Sequence, residues 1–141
     1  DHIAPNGLPE FFANVRWALN ITRSEMIDAG FSPSVRLFEA AACAAPIISD
    51  RWRGLETLFS IGDEIVLADD AADVLAALSL PEPRRLAIAA AGRAKILSTH
   101  SAAHRAAELE TYIAQIRTEK LNSANTNRGL GVWNRSAAIR L

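Results

Sequence analysis

The chain has 141 residues, of which 50% are hydrophobic and 22% are charged, a composition that suits one globular domain with its own core. Its formal net charge of −1 excludes a chain-wide attraction to nucleic acid or to an anionic membrane surface, so any anion site must be local. The single cysteine, Cys43, cannot form an internal disulfide, which favours a reducing compartment and predicts a cytoplasmic location.

The N-terminal stretch DHIAPNGLPE has the composition of a loop and lacks the basic and then apolar segments of a secretion signal. It begins without methionine, so we expect the chain to be a piece of a longer protein. The longest apolar run, Leu37 to Ile48, is too short to cross a bilayer and is interrupted by Glu39 and Pro46. No membrane span is predicted.

The first elements along the chain are short. Pro9 is placed to begin a helix over residues 8–15, where Phe11 and its neighbours give one apolar face. Residues 17–22 are rich in strand formers and predict a buried strand. Residues 23–31 are polar and contain a glycine, which leaves an irregular loop or a short helix open.

The next helix has sharply marked ends. Ser32 is the predicted N-cap and Pro33 the predicted first helical residue. The helix should end by about Ala44, because Pro46 cannot continue it. Residues 46–49 are apolar and β-branched, which predicts a short parallel strand.

The second half of the chain is mostly helical in pattern. The predicted elements are one helical turn over residues 55–59, a strand over 64–68 and three helices. The first helix is capped by Asp69 or Asp70 and ends near 78, the second runs from 81 to about 97, and the third is capped by Thr99 or Ser101. The last helix has Ala102, Ala106, Leu109, Ile113 and Ile116 on one face. After Leu121 the sequence is aperiodic and rich in Asn, Ser and Gly, which predicts a mobile tail over residues 121–141.

Strands that alternate with helices predict an α/β fold, with a parallel sheet covered by helices on both faces and further helices at the C-terminus. About three strands are too few for a complete sheet of this kind. We therefore expect the sheet to be incomplete, with earlier strands missing from this piece of the protein.

Polar residues around the helix predicted from Ser32 suggest a binding site. Ligands of open α/β sheets lie beyond the carboxyl ends of the strands, where helix N-termini offer free N–H groups. Ser34 adds a hydroxyl, and Arg36 is unfavourable beside the positive helix end unless an anion lies between them. Glu39, three residues later, can accept bonds from a ribose diol. Together they predict a nucleoside diphosphate site.

Simpler interpretations stay open for the same residues. Arg36 and Glu39 have the spacing of a surface ion pair, and Ser32 and Ser34 have the position of capping residues. Asp50 follows a strand, where it either contacts substrate or stabilises the loop. The cationic and aromatic cluster of Arg51, Trp52 and Arg53 suits a base, a sugar or an interdomain surface.

His100 and His104 have helical spacing, but no glutamate follows His100 as in metalloprotease helices. We expect no metal site there. A phosphoacceptor receiver domain is also disfavoured, because the stretch NITR after the first strand offers no aspartates.

Three stretches carry a family resemblance: LNITR (residues 19–23), GFSPSVRLFEAAACAAPIISD (30–50) and GLETLFSIGDEIVLA (54–68). With STHSAAHRAAEL (98–109), they resemble the C-terminal half of CgeB-like glycosyltransferases, relatives of the group 1 glycosyltransferases with the GT-B fold. The resemblance covers about residues 1–120 and implies one Rossmann-like half of a two-half enzyme, the half that binds the nucleotide-sugar donor.

The resemblance also implies roles for individual residues. Glu39 corresponds to the glutamate that binds the nucleotide ribose, and Ser34 and Arg36 to the diphosphate site, with Arg23 and Asp50 as further candidates. The implied donor is a UDP- or GDP-linked sugar, bound without a metal or other cofactor. The implied partner is the N-terminal, acceptor-binding half of the same protein, and no catalytic residue is assigned.

One position departs from the family pattern. Many group 1 enzymes have a second glutamate eight residues before the first, and this chain has Phe31 there. The sequence therefore does not support a carboxylate contact with the donor sugar. A noncatalytic α/β interaction module derived from a glycosyltransferase is the alternative function.

Overall fold

A computed structural model describes the backbone of residues 3–133 and the side chains of residues 3–122. A single 3-10 turn at Pro5–Gly7 precedes the first regular helix. In chain order, the regular elements are α1 (Leu8–Ala13), β1 (Ala18–Asn20), α2 (Ser24–Ala29), α3 (Val35–Ala42), β2 (Ile47–Ser49), α4 (Leu55–Leu58), β3 (Val66–Leu67), α5 (Ala71–Leu78), α6 (Glu82–Thr99) and α7 (Ala102–Trp133).

The three strands form one parallel sheet in the order β1-β2-β3. Ala18 lies opposite Ile47, and Ile48 lies opposite Val66, so β2 is the central strand. The predicted α/β class with a short parallel sheet is confirmed. The residues left open at 23–31 contain a short helix, α2.

Both faces of the central strand are buried, as a parallel sheet requires. Ile47 and Ile48 are each nearly inaccessible, and successive strand residues point to opposite faces. Ile47 belongs to the larger core cluster, which includes Leu37, Phe59 and Ile65, whereas Ile48 packs with Ala68 and Ala77 on the other side. The sheet is therefore the middle of three layers.

Small residues let the helices pack closely. Ala40 and Ala41 are each 1% exposed where α3 packs against the rest of the core. On α6, a Cβ at Gly92 would lie 2.8 Å from the backbone oxygen of Glu64, so glycine allows that close approach. The Nε of Arg93 donates to the carbonyl of Ala42 at 3.0 Å and joins α6 to the end of α3.

The start of α3 differs from the prediction. Its N-cap is Ser34, whose Oγ accepts a hydrogen bond from the backbone N–H of Arg36, so the predictions of Ser32 as N-cap and Pro33 as first helical residue are wrong. The physical reason lies upstream, where the N–H of Phe31 donates to the carbonyl of Arg53 at 2.7 Å. This bond holds the preceding loop on a neighbouring segment, and the chain becomes helical only after Ser34.

The end of α3 is a Schellman motif without glycine. Cys43 is the C-cap, and Ala44 has a φ of 58° in the left-handed region. The N–H of Ala45 donates to the carbonyl of Ala40, and the N–H of Ala44 to that of Ala41, both at 2.9 Å. The helix therefore ends two residues before the predicted limit.

A hydrogen bond from Arg85 to Glu82 at the start of α6 lowers the pKa of the Glu82 carboxyl. Arg85 also donates to the carbonyl of Arg16 at 3.0 Å and so joins this helix to the segment before β1. Among the described residues, no helix has both the length and the apolar content to span a bilayer.

The chain divides into two compact units after Ser101, and the second unit contains α7. The backbone of α7 stays helical to Trp133, although the sequence predicts an aperiodic tail from residue 121. No proline follows Pro83, so nothing in this segment forbids a helix. Residues 134–141 of the predicted tail lie outside the described residues, and the predicted extent of the donor half, residues 1–120, stays a prediction.

The left-handed Ala44 predicts a stabilising substitution. Alanine in this conformation is strained by about 1–2 kcal/mol, and glycine is not. We expect Ala44→Gly to raise the free energy of unfolding by about 1 kcal/mol, measured by urea denaturation. The matched control is Ala94→Gly, an exposed site inside α6, which should lower it by about 1 kcal/mol. A loss of stability in both variants would contradict the assigned conformation of Ala44.

Candidate functional site

Polar side chains tie the carboxyl ends of β1 and β2 together. Asn20 ends β1 and Ser49 ends β2, and both are almost fully buried. The Nδ2 of Asn20 donates to the Oγ of Ser49 at 3.0 Å and to the Oγ1 of Thr22 at 3.2 Å. No described residue donates to the buried Oδ1 of Asn20. These contacts fix where the chain leaves the sheet.

Asp50 completes this connection. Its Oδ2 accepts from the backbone N–H of Thr22 at 2.7 Å, and its Oδ1 accepts from the Oγ1 of Thr22, also at 2.7 Å. The predicted alternatives for Asp50 were a substrate contact or a role in stabilising the loop. The geometry gives it the second role, and a substrate contact stays a prediction.

The loop between α2 and α3 is held in place by contacts between Phe31 and Arg53. Besides the bond from the Phe31 N–H to the Arg53 carbonyl, the Arg53 guanidinium lies 5.5 Å from the centre of the Phe31 ring. A Cβ at Gly54 would lie 2.5 Å from the Phe31 ring, so a side chain there would displace it. Phe31 itself has a φ of 49° and is 63% exposed.

The cluster of Arg51, Trp52 and Arg53 divides into separate roles. Trp52 is 3% exposed and belongs to the core, so its ring is not a surface for stacking a base or a sugar. Arg53 donates to the carbonyl of Ala29 at 3.0 Å, and Arg51 lies 3.7 Å from Asp69 in an exposed ion pair. All three residues also line a second cavity of about 700 Å³ with Ile27 and Glu56, so the predicted role at a base, a sugar or an interdomain surface stays a prediction.

The first turn of α3 retains donors for an anion. The bond from the Arg36 N–H to the Oγ of Ser34 is long, at 3.4 Å, so the cap satisfies that N–H only weakly. The helix has eight residues, and its positive end follows the short loop between α2 and α3. Such a helix start favours a bound anion.

Arg36 and Glu39 line the same cavity, which has a volume of about 570 Å³. The cavity lies between α1, β1 and α3, within the size range of small-molecule sites. No ion pair joins Arg36 to Glu39 in the described part of the chain. The alternative interpretation, an intrahelical ion pair, is therefore not the arrangement observed, and both charged groups can contact a ligand.

The remaining wall of this cavity is apolar and was not predicted as part of a site. It comes from the N-terminal helix, the segment around β1 and the start of α3, and its larger members are Leu8, Phe11, Phe12, Val15, Trp17, Leu19 and Val35. The sequence shows an apolar face at Phe11, but not what that face lies against. An apolar wall with one cation and one anion suits a ligand that has a ring, hydroxyl groups and a negative charge.

The other predicted site residues lie outside the cavity lining. Ser34 directly precedes the lining residue Val35, and Asp50 lies in the strand-end connection. Arg23 is exposed at the start of α2 and does not line the cavity. The structure thus brings together Arg36 and Glu39, places Ser34 beside them, and separates Arg23 and Asp50 from them.

The described residues contain no group of three or more His, Cys, Asp or Glu side chains that could hold a metal ion. The His100 ring lies 5.7 Å from the ring of Phe38, at an interplanar angle of 58°.

One comparison with known proteins gave a match. The sequence profile of the family described as "Glycosyl transferase-like" matches residues 1–111 of the chain. This range contains the whole sheet and the helix that carries Arg36 and Glu39. Searches of curated proteins and of solved structures found no significant match.

The geometry of Asp50 predicts a structural effect of its removal. Asp50→Ala leaves the Thr22 N–H and hydroxyl without their acceptors and should lower the free energy of unfolding by about 1–3 kcal/mol. In a double-mutant cycle with Thr22→Val, the two losses should be non-additive by more than about 0.5 kcal/mol. Asp28→Ala, an exposed site on α2, is the control and should change stability by less than about 0.5 kcal/mol. Additive effects in the cycle would show that Asp50 does not act through the Thr22 hydroxyl.

Proposed function

The chain belongs to the glycosyl transferase-like family, and from this premise we propose that it binds the nucleotide-sugar donor of a sugar transfer reaction. The observation that carries the proposal is that Arg36 and Glu39 line one cavity without forming an ion pair with each other. Within the family, the resemblance to the C-terminal half of CgeB-like enzymes supports the assignment of this chain to the donor side.

Glu39 is the proposed contact of the nucleotide ribose. A carboxylate has only acceptor capacity, and a ribose diol offers two hydroxyl donors. Glu39 is half-buried, so a bond to a ribose hydroxyl would be shielded from water on one side. The carboxylate is paired with no cation of the described residues, which leaves its oxygens for the ligand.

Arg36 and the start of α3 are the proposed contacts of the diphosphate. A guanidinium binds phosphate oxygens through two parallel hydrogen bonds, and the weakly capped helix end adds backbone donors and a positive potential. Arg36 and Glu39 differ by three residues, or about 4.5 Å of helix rise, which suits a phosphate and the adjoining ribose. Ser34 is placed to add its hydroxyl.

The role of these groups in catalysis is to stabilise the leaving group. In the transfer, the bond between the sugar anomeric carbon and the diphosphate oxygen breaks, and the electron pair leaves with the diphosphate. The acceptor oxygen forms the new bond and gives its proton to a base, which we do not assign to any residue. Fixed positive groups at the departing oxygens lower the barrier without a metal.

The apolar wall is the proposed surface for the nucleobase. Phe11 and Leu19 are 44% and 47% exposed, and the buried Phe12 supports the Phe11 ring from behind, edge to face, with ring centres 5.2 Å apart. Phe11 and Leu19 offer contact area without hydrogen-bonding groups, so they suit a uracil or a guanine ring alike. The acceptor would bind to the N-terminal half of the same protein, and the proposed location of the reaction is the cytoplasm.

The test is a calorimetric titration of UDP and GDP into the wild-type chain and variants. Glu39→Gln should weaken binding of UDP and of the nucleoside uridine by a similar factor, about 10-fold to 100-fold, because the ribose contact is common to both. Arg36→Gln should weaken UDP by about 10-fold and leave uridine unchanged, because uridine has no phosphate.

Glu25→Gln, an exposed site on α2, is the matched control and should leave every affinity unchanged. Equal affinity of UDP for the wild type and for Glu39→Gln would reject the ribose assignment. If neither nucleotide binds to a longer protein that contains this chain, the noncatalytic interaction module becomes the better function.

A further inference from the structure

The guanidinium of Arg53 is held in one position although the residue is exposed. It donates to the carbonyl of Ala29 at 3.0 Å and lies 5.5 Å from the centre of the Phe31 ring. A Cβ at Gly30 would lie 2.6 Å from the Arg53 Nε, so glycine leaves the space in which the guanidinium lies. A guanidinium has five N–H donors, and the described residues accept from only one of them. The others are available to a ligand.

Arg53 lines the second cavity, which lies between α2, the segment after β2 and the end of β3. Its volume of about 700 Å³ is within the size range of small-molecule sites. The charged lining residues are two cations and one anion, Arg51, Arg53 and Glu56. The other lining residues are apolar or aromatic: Ile27, Trp52, Leu55, Ile61 and Leu67. Such a lining suits a ring that has a negatively charged substituent.

Under the proposed function, the donor sugar extends beyond the N-terminus of α3. Glu39 binds the ribose, and Arg36 with the helix start binds the diphosphate, so the nucleotide runs towards that end of the helix. In a nucleotide sugar, the sugar is bonded to the diphosphate on the side away from the ribose. It then passes the N-cap Ser34 towards the loop between α2 and α3. The bond from the Phe31 N–H to the Arg53 carbonyl holds Arg53 against this loop.

We propose, on the basis of the proposed donor site, that the transferred sugar carries a carboxylate and that Arg53 binds this carboxylate at the second cavity. The free N–H groups of Arg53 match the acceptor oxygens of a carboxylate. Because Ala29, Gly30 and Phe31 hold the guanidinium before a ligand binds, little side-chain entropy is lost on binding. The ring of Phe31 has no acceptor atom that would compete with the ligand for these donors.

The other charged residues of the cavity have secondary roles in this assignment. Arg51 already lies 3.7 Å from Asp69 in an exposed ion pair, so it adds positive potential more than a direct contact. Glu56 forms no ion pair in the described part of the chain, and its oxygens can accept from sugar hydroxyls. With two cations against one anion, the lining still favours a negatively charged sugar over a neutral one.

The experiment is a calorimetric titration of the 141-residue chain with UDP, UDP-glucose and UDP-glucuronate. The two sugars differ only at C6, where glucuronate has a carboxylate. The wild type should bind UDP-glucuronate about threefold to tenfold more tightly than UDP-glucose. Arg53→Gln should reduce this ratio to about one. The matched control is Arg84→Gln, an exposed arginine that also donates to a backbone carbonyl, that of Gly62 at 2.9 Å, and it should keep the wild-type ratio.

A second pair of variants tests the charge without removing Arg53. Phe31→Glu places a carboxylate beside the guanidinium and should abolish the preference, whereas Phe31→Gln, of the same size and neutral, should keep it. Equal affinity of the wild type for the two sugars would overturn the proposal while UDP binding upheld the donor site, and an unchanged ratio in Arg53→Gln would do the same. If UDP does not bind, the donor site and the carboxylate site are both rejected.

Discussion

The candidate site depends on the carboxylate of Asp50. By accepting two hydrogen bonds from Thr22, it fixes the end of β1 to the end of β2, and the buried pair of Asn20 and Ser49 strengthens the same connection. The segment that begins there contains α2 and leads to α3. Its far end is fixed by the bond from Phe31 to Arg53, a residue only three positions after Asp50. The residues that follow β2 therefore contact both ends of the segment that connects β1 to α3.

The position of α3 matters because its two faces have different roles. Leu37, Ala40 and Ala41 are buried, and the small alanines bring the helix close to its neighbours. Arg36 and Glu39 lie on the cavity side. Next to the helix N-terminus, a cation is unfavourable by about 0.3–1 kcal/mol, and an anion bound between them reverses the sign. The alanine-rich sequence with isolated charges thus describes a helix that packs on one face and presents charge on the other.

Local chemistry in the sequence was enough to predict most elements. Pro9, Pro46 and the prolines at 81 and 83 limit where helices can run, and the β-branched pair Ile47 and Ile48 marks the central strand, because these residues restrict the backbone wherever they occur. The edge strand β1 has no β-branched residue and was predicted from its apolar neighbours. The cap of α3 was misplaced by two residues. Ser32 and Ser34 are equally good caps by residue type, and the choice between them depends on the contact of Phe31 with Arg53, which joins segments far apart in the chain.

Contacts between segments far apart in the chain also explain what could not be predicted about the site. That Arg36 and Glu39 share a face follows from helical periodicity alone. That Trp52 is in the core, that Asp50 binds Thr22, and that Phe11 and Leu19 line the cavity all depend on tertiary contacts that no local pattern encodes. Residues next to each other in sequence can also differ completely in role, as the buried Trp52 and the exposed Arg51 and Arg53 do.

Phe31 limits what the proposed donor site can recognise. The family resemblance leads one to expect a carboxylate at this position, and phenylalanine can neither accept nor donate a hydrogen bond to a sugar hydroxyl. Its strained φ is maintained by the bond to Arg53 and by the absence of a side chain at Gly54, so the ring is fixed in place. Under the proposed function, affinity must then come mainly from the nucleotide, through Arg36, Glu39 and the apolar wall. Selection among sugars must come from groups other than this position, because a phenyl ring cannot distinguish hydroxyl configurations by hydrogen bonding.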